Sequence, residues 1–258
     1  MKTNAVLLLL SLAAFHGAQA DVIHYWRFEE GGGVTAADSV GGINGTLYNI
    51  PSVQWSANVP AAVIPATGAS NGGALSFGGA GFVDITTPQA MTLGTSFTIE
   101  FFFNPEEPVL SSPMFALANG PFLDVALSDG PDHLFGIYFG SYLEITSASM
   151  VTIDEWHHFA LVKTPEYYSV FIDGALQGEG ALPSSTDGPY IFAGSVETGD
   201  RQIGRGFRGY LDEFRISDEA LTPEQFLNAV PEPGTLGLLA LGGLALFAVR
   251  RHIPRPTP

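Results

Sequence analysis

Short stretches of apolar and aromatic residues, each closed by glycine, proline or an Asp/Asn turn, recur along most of this chain. That texture is the one short antiparallel strands produce. Asp21–Glu29 (DVIHYWRFE) reads as a first strand, followed by a glycine and Asp/Asn loop from Gly31 to Gly45 with Asp38 in its middle. Ala74–Ile85 holds two short strands around Gly78-Gly79-Ala80-Gly81, and Ser96–Phe103 (SFTIEFFF) follows, ended by Pro105–Pro108. Trp156–Lys163 and Tyr167–Ile172 are strands, the second turning through Asp173-Gly174 into Ala175-Leu176. Asp-Gly between apolar runs predicts a two-residue hairpin turn, because both positions tolerate positive φ. Both parities of Trp156–Lys163 are rich in apolar residues, which predicts a central strand covered on its two faces. Tyr210–Ile216 is the last strand by its aromatic and β-branched content. On strict alternation Tyr210, Asp212 and Phe214 share one face and Leu211, Glu213 and Arg215 the other. Asp212 is then placed beside two large rings, which is costly unless something offsets its burial. Thr222-Pro223-Glu224-Gln225 predicts a short helix, with a Thr cap, Pro at the first position and Gln reaching back. No polar linker interrupts this texture, so residues 21–229 are expected to form one domain.

The two ends differ from this pattern. Residues 1–20 have the order of an export signal: Lys2, an apolar run over Ala5–Phe15, and Ala18-Gln19-Ala20 before Asp21, with cleavage expected after Ala20. Residues 230–258 carry Pro231-Glu232-Pro233, an apolar run over Thr235–Val249, and Arg250-Arg251. The run is shorter than the roughly 20 residues of a full span, and the paired arginines would lie on the cytoplasmic side. This order of parts resembles the PEP-CTERM sorting signal of Gram-negative, exopolysaccharide-producing bacteria. The resemblance implies transient anchoring in the inner membrane and removal of the tail by an exosortase. Release to the outer cell surface, extracellular matrix or biofilm would follow. His252–Pro258 departs from the pattern, since such signals more often stop at the basic cluster. The other reading of this segment is a plain membrane anchor.

Composition narrows the function classes. A formal net charge of −16 argues against nucleic acid, which needs a basic footprint, and suits solubility outside the cell and capture of divalent cations. There is no cysteine, so neither a disulfide framework nor thiolate chemistry is available.

Four segments resemble laminin-G-like, concanavalin A-like domains in the order that family shows. They are the opening YWRFEEGGGVTAADSVGGINGTL, the stretch ALSFGGAGFVDI, the pair around Trp156-His157-His158 and Asp173-Gly174, and Gly209–Glu224 (GYLDEFRISDEALTPE). The region between Pro105 and Met150 contributes little. The resemblance implies an all-β, two-sheet antiparallel jelly-roll sandwich, with a short C-terminal helix and a separate C-terminal transmembrane segment. It further implies a structural calcium held by the aspartate of the closing strand, here Asp212. Backbone carbonyls from about Glu29–Gly31 and Phe77–Gly79 would complete the site, with Asp38 as a second carboxylate. The other readings are a salt bridge from Asp212 to Arg208 or Arg215, and an Asx turn at Asp38.

Other chemistry is weaker. Gly68-Ala69-Ser70-Asn71-Gly72 fits the G-x-S-x-G pattern but lacks the strand-to-helix context of a nucleophile elbow. Gly204–Gly209 spells G-x-G-x-x-G but runs into a strand, so no helix N-terminus is there to hold a pyrophosphate. His157 and His158 are adjacent in a strand and face opposite ways, and His16, His24 and His133 have no ligand spacing. Retaining glycoside hydrolysis needs two carboxyl groups about 5 Å apart. Asp154-Glu155 and Asp212-Glu213 are neighbours and would diverge in a strand. Arg201, Arg205, Arg208 and Arg215 either neutralise nearby acids or grip an anionic sugar. Tyr138, Tyr142, Tyr167, Tyr168 and Tyr190 are equally sugar platforms or packing residues. The expectation is an exported, non-catalytic module that binds extracellular polysaccharide, with calcium as a structural ion. The alternatives are a structural matrix protein with no specific ligand and, behind it, a glycoside hydrolase.

Overall fold

The computed structural model describes residues 21–85, 91–106, 112–117, 123–127, 135–139, 142–145, 151–181, 190–192, 202–204 and 207–230. In chain order the strands are β1 (Val22–Trp26), β2 (Thr35–Ala36), β3 (Gly45–Tyr48), β4 (Val53–Ser56), β5 (Ala74–Gly78) and β6 (Phe82–Asp84). Then come β7 (Met91–Leu93), β8 (Phe97–Pro105), β9 (Ser112–Leu117), β10 (Leu123–Leu127), β11 (Phe135–Phe139) and β12 (Tyr142–Ile145). The last are β13 (His157–Lys163), β14 (Tyr167–Ile172), β15 (Ala175–Ala181), β16 (Tyr190–Phe192), β17 (Gln202–Ile203) and β18 (Arg208–Ser217). The expected C-terminal helix is a single 3-10 turn over Pro223–Gln225, in which Gln225 Oε1 accepts from Thr222 N at 2.9 Å. Among the described residues no helix is long and apolar enough to cross a membrane; the C-terminal apolar run lies outside them.

All pairings are antiparallel. The first sheet runs β15-β14-β13-β8-β18-β5-β4 and the second β12-β11-β10-β9-β17-β6-β3-β2; β7 and β16 form a small third. β18 is the axis of the first sheet. One of its edges pairs with β8; the other is shared, Arg208–Leu211 with β5 and Phe214–Ser217 with β1. β13 lies between β8 and β14, the interior position that its double-sided apolar pattern predicts. The hairpin turn at Asp173 (φ 52°) and Gly174 (φ 80°) uses two positive φ angles, as expected of Asp-Gly.

The core lies between the two sheets. Trp26, Phe77, Phe97, Phe101, Phe103, Phe159, Leu161 and Phe214 come from the first sheet, and Ala36, Leu47, Val83 and Ile203 from the second. In the second sheet the paired row Leu47, Val83, Ile203, Phe115, Val125, Ile137 and Leu143 is apolar from end to end. The adjacent row, Thr35, Thr46, Asp84, Gln202, Ala116, Asp124, Tyr138 and Tyr142, occupies the opposite face.

The outer face of the first sheet is roofed. Thr98, Glu100, Phe102 and Asn104, the outward positions of β8, are all buried. Val162 and Ala160 pack with Leu221 and Phe226, and Tyr25 and Phe102 with Ile64 and Leu227. The cover is thus made of the segment before β5 and the strap after β18, which meet where Ala66 N donates to Leu227 O at 3.2 Å.

Candidate functional site

Strict alternation fails in β18. Asp212 pairs with Phe102 and Arg215 with Glu100, so two residues, Glu213 and Phe214, stand opposite one. Glu213 takes φ 52°, and this β-bulge resets the parity. Leu211, Phe214 and Ile216 all reach the core, while Asp212 meets the residues under the roof. The expected grouping of Asp212 with Phe214 is therefore corrected.

Asp212 is 0% exposed. Its two oxygens accept from Asn71 Nδ2 at 2.7 Å and Glu213 N at 2.8 Å. Burial pushes its carboxyl up to about 8, with Glu213 and Glu29 adding repulsion against the Asn71 hydrogen bond. An arginine partner would have the opposite effect, and Arg215 is bound elsewhere, to Glu100. The other amide atom of this pair, Asn71 Oδ1, is buried with no hydrogen-bond partner. Glu29 lies alongside, its carboxylate accepting from Gly72 N at 3.0 Å. A Cβ on Gly73 would come within 2.5 Å of Phe28 O, so only glycine lets the loop approach the end of the first strand this closely. Phe28 itself is held at φ 57°, an uncommon angle for a bulky residue. Glu213 is paired with Arg27, whose Nη2 donates to Oε1 at 2.8 Å, and accepts a short hydrogen bond from the Tyr25 hydroxyl, yet burial outweighs both and raises its carboxyl.

Asp38 is differently occupied. Its carboxylate faces His24 Nδ1 at 2.6 Å and accepts from the backbone N–H of Tyr25, Val40, Gly41 and Ile43 at 2.9 to 3.1 Å. Burial opposes ionisation here, but His24 and these donors hold the carboxyl well below the usual range. The residue locks its loop as an Asx-type hub, and its oxygens are already saturated.

Glu100 was not singled out by sequence reasoning. The signal was a lone carboxylate inside the aromatic run SFTIEFFF. Fully buried, it accepts from Arg215 Nε at 2.8 Å, sits 2.9 Å from His158 Nε2, and accepts from Leu227 N at 2.8 Å. Burial raises its pKa, but His158, Arg215 and the Leu227 amide outweigh it and the net direction is down. Thr98, two residues back, donates to Glu219 O at 2.7 Å and accepts from Leu221 N at 2.9 Å. Together they fasten the strap.

His157 and His158 diverge as expected. His157 Nδ1 meets Asp173 Oδ2 at 2.8 Å and its Nε2 lies 2.9 Å from Thr152 Oγ1. Thr152 donates its hydroxyl to Glu155, so the group is no activated nucleophile. Ser70 sits in a loop that leads into β5, with no helix behind it. Tyr168 is a core residue and Tyr167 is exposed. Tyr138 and Tyr142 fall in the outer row of the second sheet. Ala20, Pro231, Glu232, Pro233, Arg250, Arg251, His16, His133, Arg201 and Arg205 lie outside the described residues. Among the described residues no three His, Asp or Glu side chains converge to hold a metal.

The architecture defines the chain as a two-sheet antiparallel β-sandwich of jelly-roll type. The family model of the concanavalin A-like lectin/glucanases superfamily (Laminin_G_3) matches residues 77–226, more than half of the chain, and the chain belongs to that superfamily. The PEP-CTERM protein-sorting motif matches residues 229–251, which marks the protein as exported and implies exosortase-type processing. Among solved structures, domain 4 of AbnA, a GH43 extracellular arabinanase from Geobacillus stearothermophilus, in complex with arabinotriose, aligns with a TM-score of 0.59 at 17% identity, over 81% of this chain and 98% of that one. The Trypanosoma rangeli sialidase aligns at 0.53 and 15% identity, over 81% of this chain but 32% of its own. The binding domain of Paraclostridial Mosquitocidal Protein 1 aligns at 0.51 and 14%, over 80% of this chain and 51% of that chain. These likenesses concern fold alone. A comparison with curated proteins found no match.

Proposed function

We propose that the protein is an exported, non-catalytic carbohydrate-binding module, acting at the outer cell surface or in the extracellular matrix after transient anchoring in the inner membrane. The observation that carries this reading is the contrast between the two outer faces. One is roofed by the loop and strap, whereas the other, at its β2–β3–β6 end, has Thr35, Thr46 and Tyr48 exposed beside the buried Asp84, and its backbone register continues with amide, acid and tyrosine positions. Polar groups with aromatic surface on a broad face suit a polysaccharide. The arabinanase domain of like fold holds an arabino-oligosaccharide, which makes a neutral glycan a natural first probe. Against catalysis, the buried carboxylates Asp38, Glu100 and Glu213 are each committed to internal partners.

We extend the proposal to a calcium ion at Asp212, on the donor chemistry around it. A desolvated carboxylate, an orphaned amide oxygen on Asn71 and the nearby Glu29 are hard oxygen donors of the kind the ion takes. Asp212, Asn71 and Glu29 would hold it, with the Phe28 carbonyl beside them. The ion would offset their charge and tie the roof loop to the closing strand. Asp38 takes no part in this proposal, its oxygens being filled by N–H donors.

The test is a glycan-binding screen of wild-type protein with calcium and with chelator, alongside melting curves of wild type and Asp212→Asn. Binding to at least one polysaccharide without release of reducing ends is the expected result. Calcium should raise the midpoint of wild type and not of the variant. No binding at all would leave a structural matrix protein as the reading, and new reducing ends would make it a hydrolase.

A further inference from the structure

We propose that the stacked Tyr48–Phe82 pair and the threonines beside it form a subsite for the flat face of an uncharged sugar ring, at the β2–β3–β6 end of the second sheet. This rests on the carbohydrate-binding reading above. The two rings are 5.3 Å apart and 9° from parallel. They sit opposite each other in register, on the face away from the buried Leu47 and Val83. The other stacked pairs described, His24–Trp26, Phe101–Phe159 and Phe101–Phe214, are buried, whereas Tyr48 is 40% exposed. An aromatic left open on a preformed stack is informative in a way that a lone exposed leucine is not.

The surroundings complete the chemistry. Two residues along the strand, Thr46 is exposed and pairs with Thr35, also exposed, so hydroxyls flank the rings on the same face. Tyr48 is followed by Asn49 at φ 56°, whose Nδ2 donates to Ala80 O at 3.2 Å and fastens the turn to the glycine loop before Phe82. The platform is thereby set before any ligand arrives, which lowers the ordering cost of binding. A ring face rich in C–H groups stacks on the aromatic surface while its hydroxyls meet the threonines. Thr35, Thr46, Tyr48 and Phe82 are uncharged, the one carboxylate in register with them, Asp84 opposite Thr46, is buried, and a chain of net charge −16 repels polyanions. The ligand class is therefore a neutral polysaccharide.

The full-length chain in mild detergent, wild type, Tyr48→Ala and Tyr167→Ala, is titrated with laminarin, arabinotriose and alginate. Tyr167, exposed on the first sheet, controls for loss of any surface tyrosine. A neutral probe should bind wild type and Tyr167→Ala alike, and Tyr48→Ala about tenfold or more weakly at an unchanged melting midpoint, the scale of losing one aromatic platform. Equal binding by Tyr48→Ala overturns the subsite and leaves the carbohydrate-binding reading standing. Preference for alginate overturns the neutral class. Failure of wild type to bind any probe removes both, and self-association abolished by Tyr48→Ala would make the patch a protein contact instead.

Discussion

Asp212 carries the clearest consequence of burial at a single residue. A carboxyl raised to about 8 in the folded state keeps a proton that the unfolded chain has already released between about pH 4 and 8. Folding stability therefore falls as pH rises through that window. With chelator present, the melting midpoint of wild type should drop between pH 5 and pH 8, and Asp212→Asn should make that slope shallower. His157, raised by Asp173 against its own burial, contributes stability that is present at low pH and lost as pH rises through its folded value. It does so equally in wild type and Asp212→Asn, whereas Glu213, raised by burial, acts in the same direction as Asp212 and repels it, so the difference between the two proteins reports this carboxylate pair. Glu100 behaves oppositely, as an acid held ionised by buried partners. Replacing it with Ala strands Arg215 and the Leu227 amide, and unfolding measurements should show a loss of about 3–5 kcal/mol. An exposed acid such as Glu166 lacks those partners, and its replacement should cost within about 0.5 kcal/mol.

At the scale of the element, turn chemistry was legible and the bulge was not. Asp173-Gly174 shows its hairpin in two letters because the backbone demands positive φ there. Gly174→Ala should destabilise by about 1–2 kcal/mol, the cost of a Cβ at that angle, although its nearest neighbour, Asn228 Nδ2, is 3.7 Å from the new atom. The doubly buried character of β13 was likewise written in its composition. Glu213 carries no such mark. Glutamate is not a residue that seeks a left-handed angle; Arg27 and Tyr25, 186 and 188 residues away along the chain, hold its side chain. Alternation therefore grouped Phe214 with Asp212 and Arg215 with Leu211, whereas Phe214 joins Leu211 in the core and Arg215 faces outward with Asp212. Tyr48 was missed for a related reason, since its stacking partner Phe82 belongs to another strand.

For the whole molecule, the strap after β18 belongs to the domain. Phe226 and Leu227 are fully buried, while Val230, next to the sorting motif, is 78% exposed. A chain ended at Val230 should melt within a degree or two of one carrying the tail, by calorimetry or circular dichroism. One ended at Ala220 loses Leu221, Phe226 and Leu227 from the roof, leaves Glu100 without the Leu227 amide, and should not fold cooperatively. Removal of the sorting tail is thus compatible with an intact sandwich.

By itself the sequence showed what is local: the strands around 22–26, 74–84, 97–105, 157–163, 167–172 and 208–217, the Asp-Gly hairpin, the interior position of β13 and the C-terminal sorting motif. Each rests on residue type or spacing within one short window, where steric and hydrophobic preferences act without reference to the rest of the chain. Tertiary structure alone decided that Phe214 and Arg215 exchange faces after the bulge, that Asp38 is saturated by donors, that Glu100 fastens the strap, and which sheet face is roofed. Those outcomes depend on partners brought together from distant segments, and a period-two pattern holds no information about where one extra residue will be absorbed.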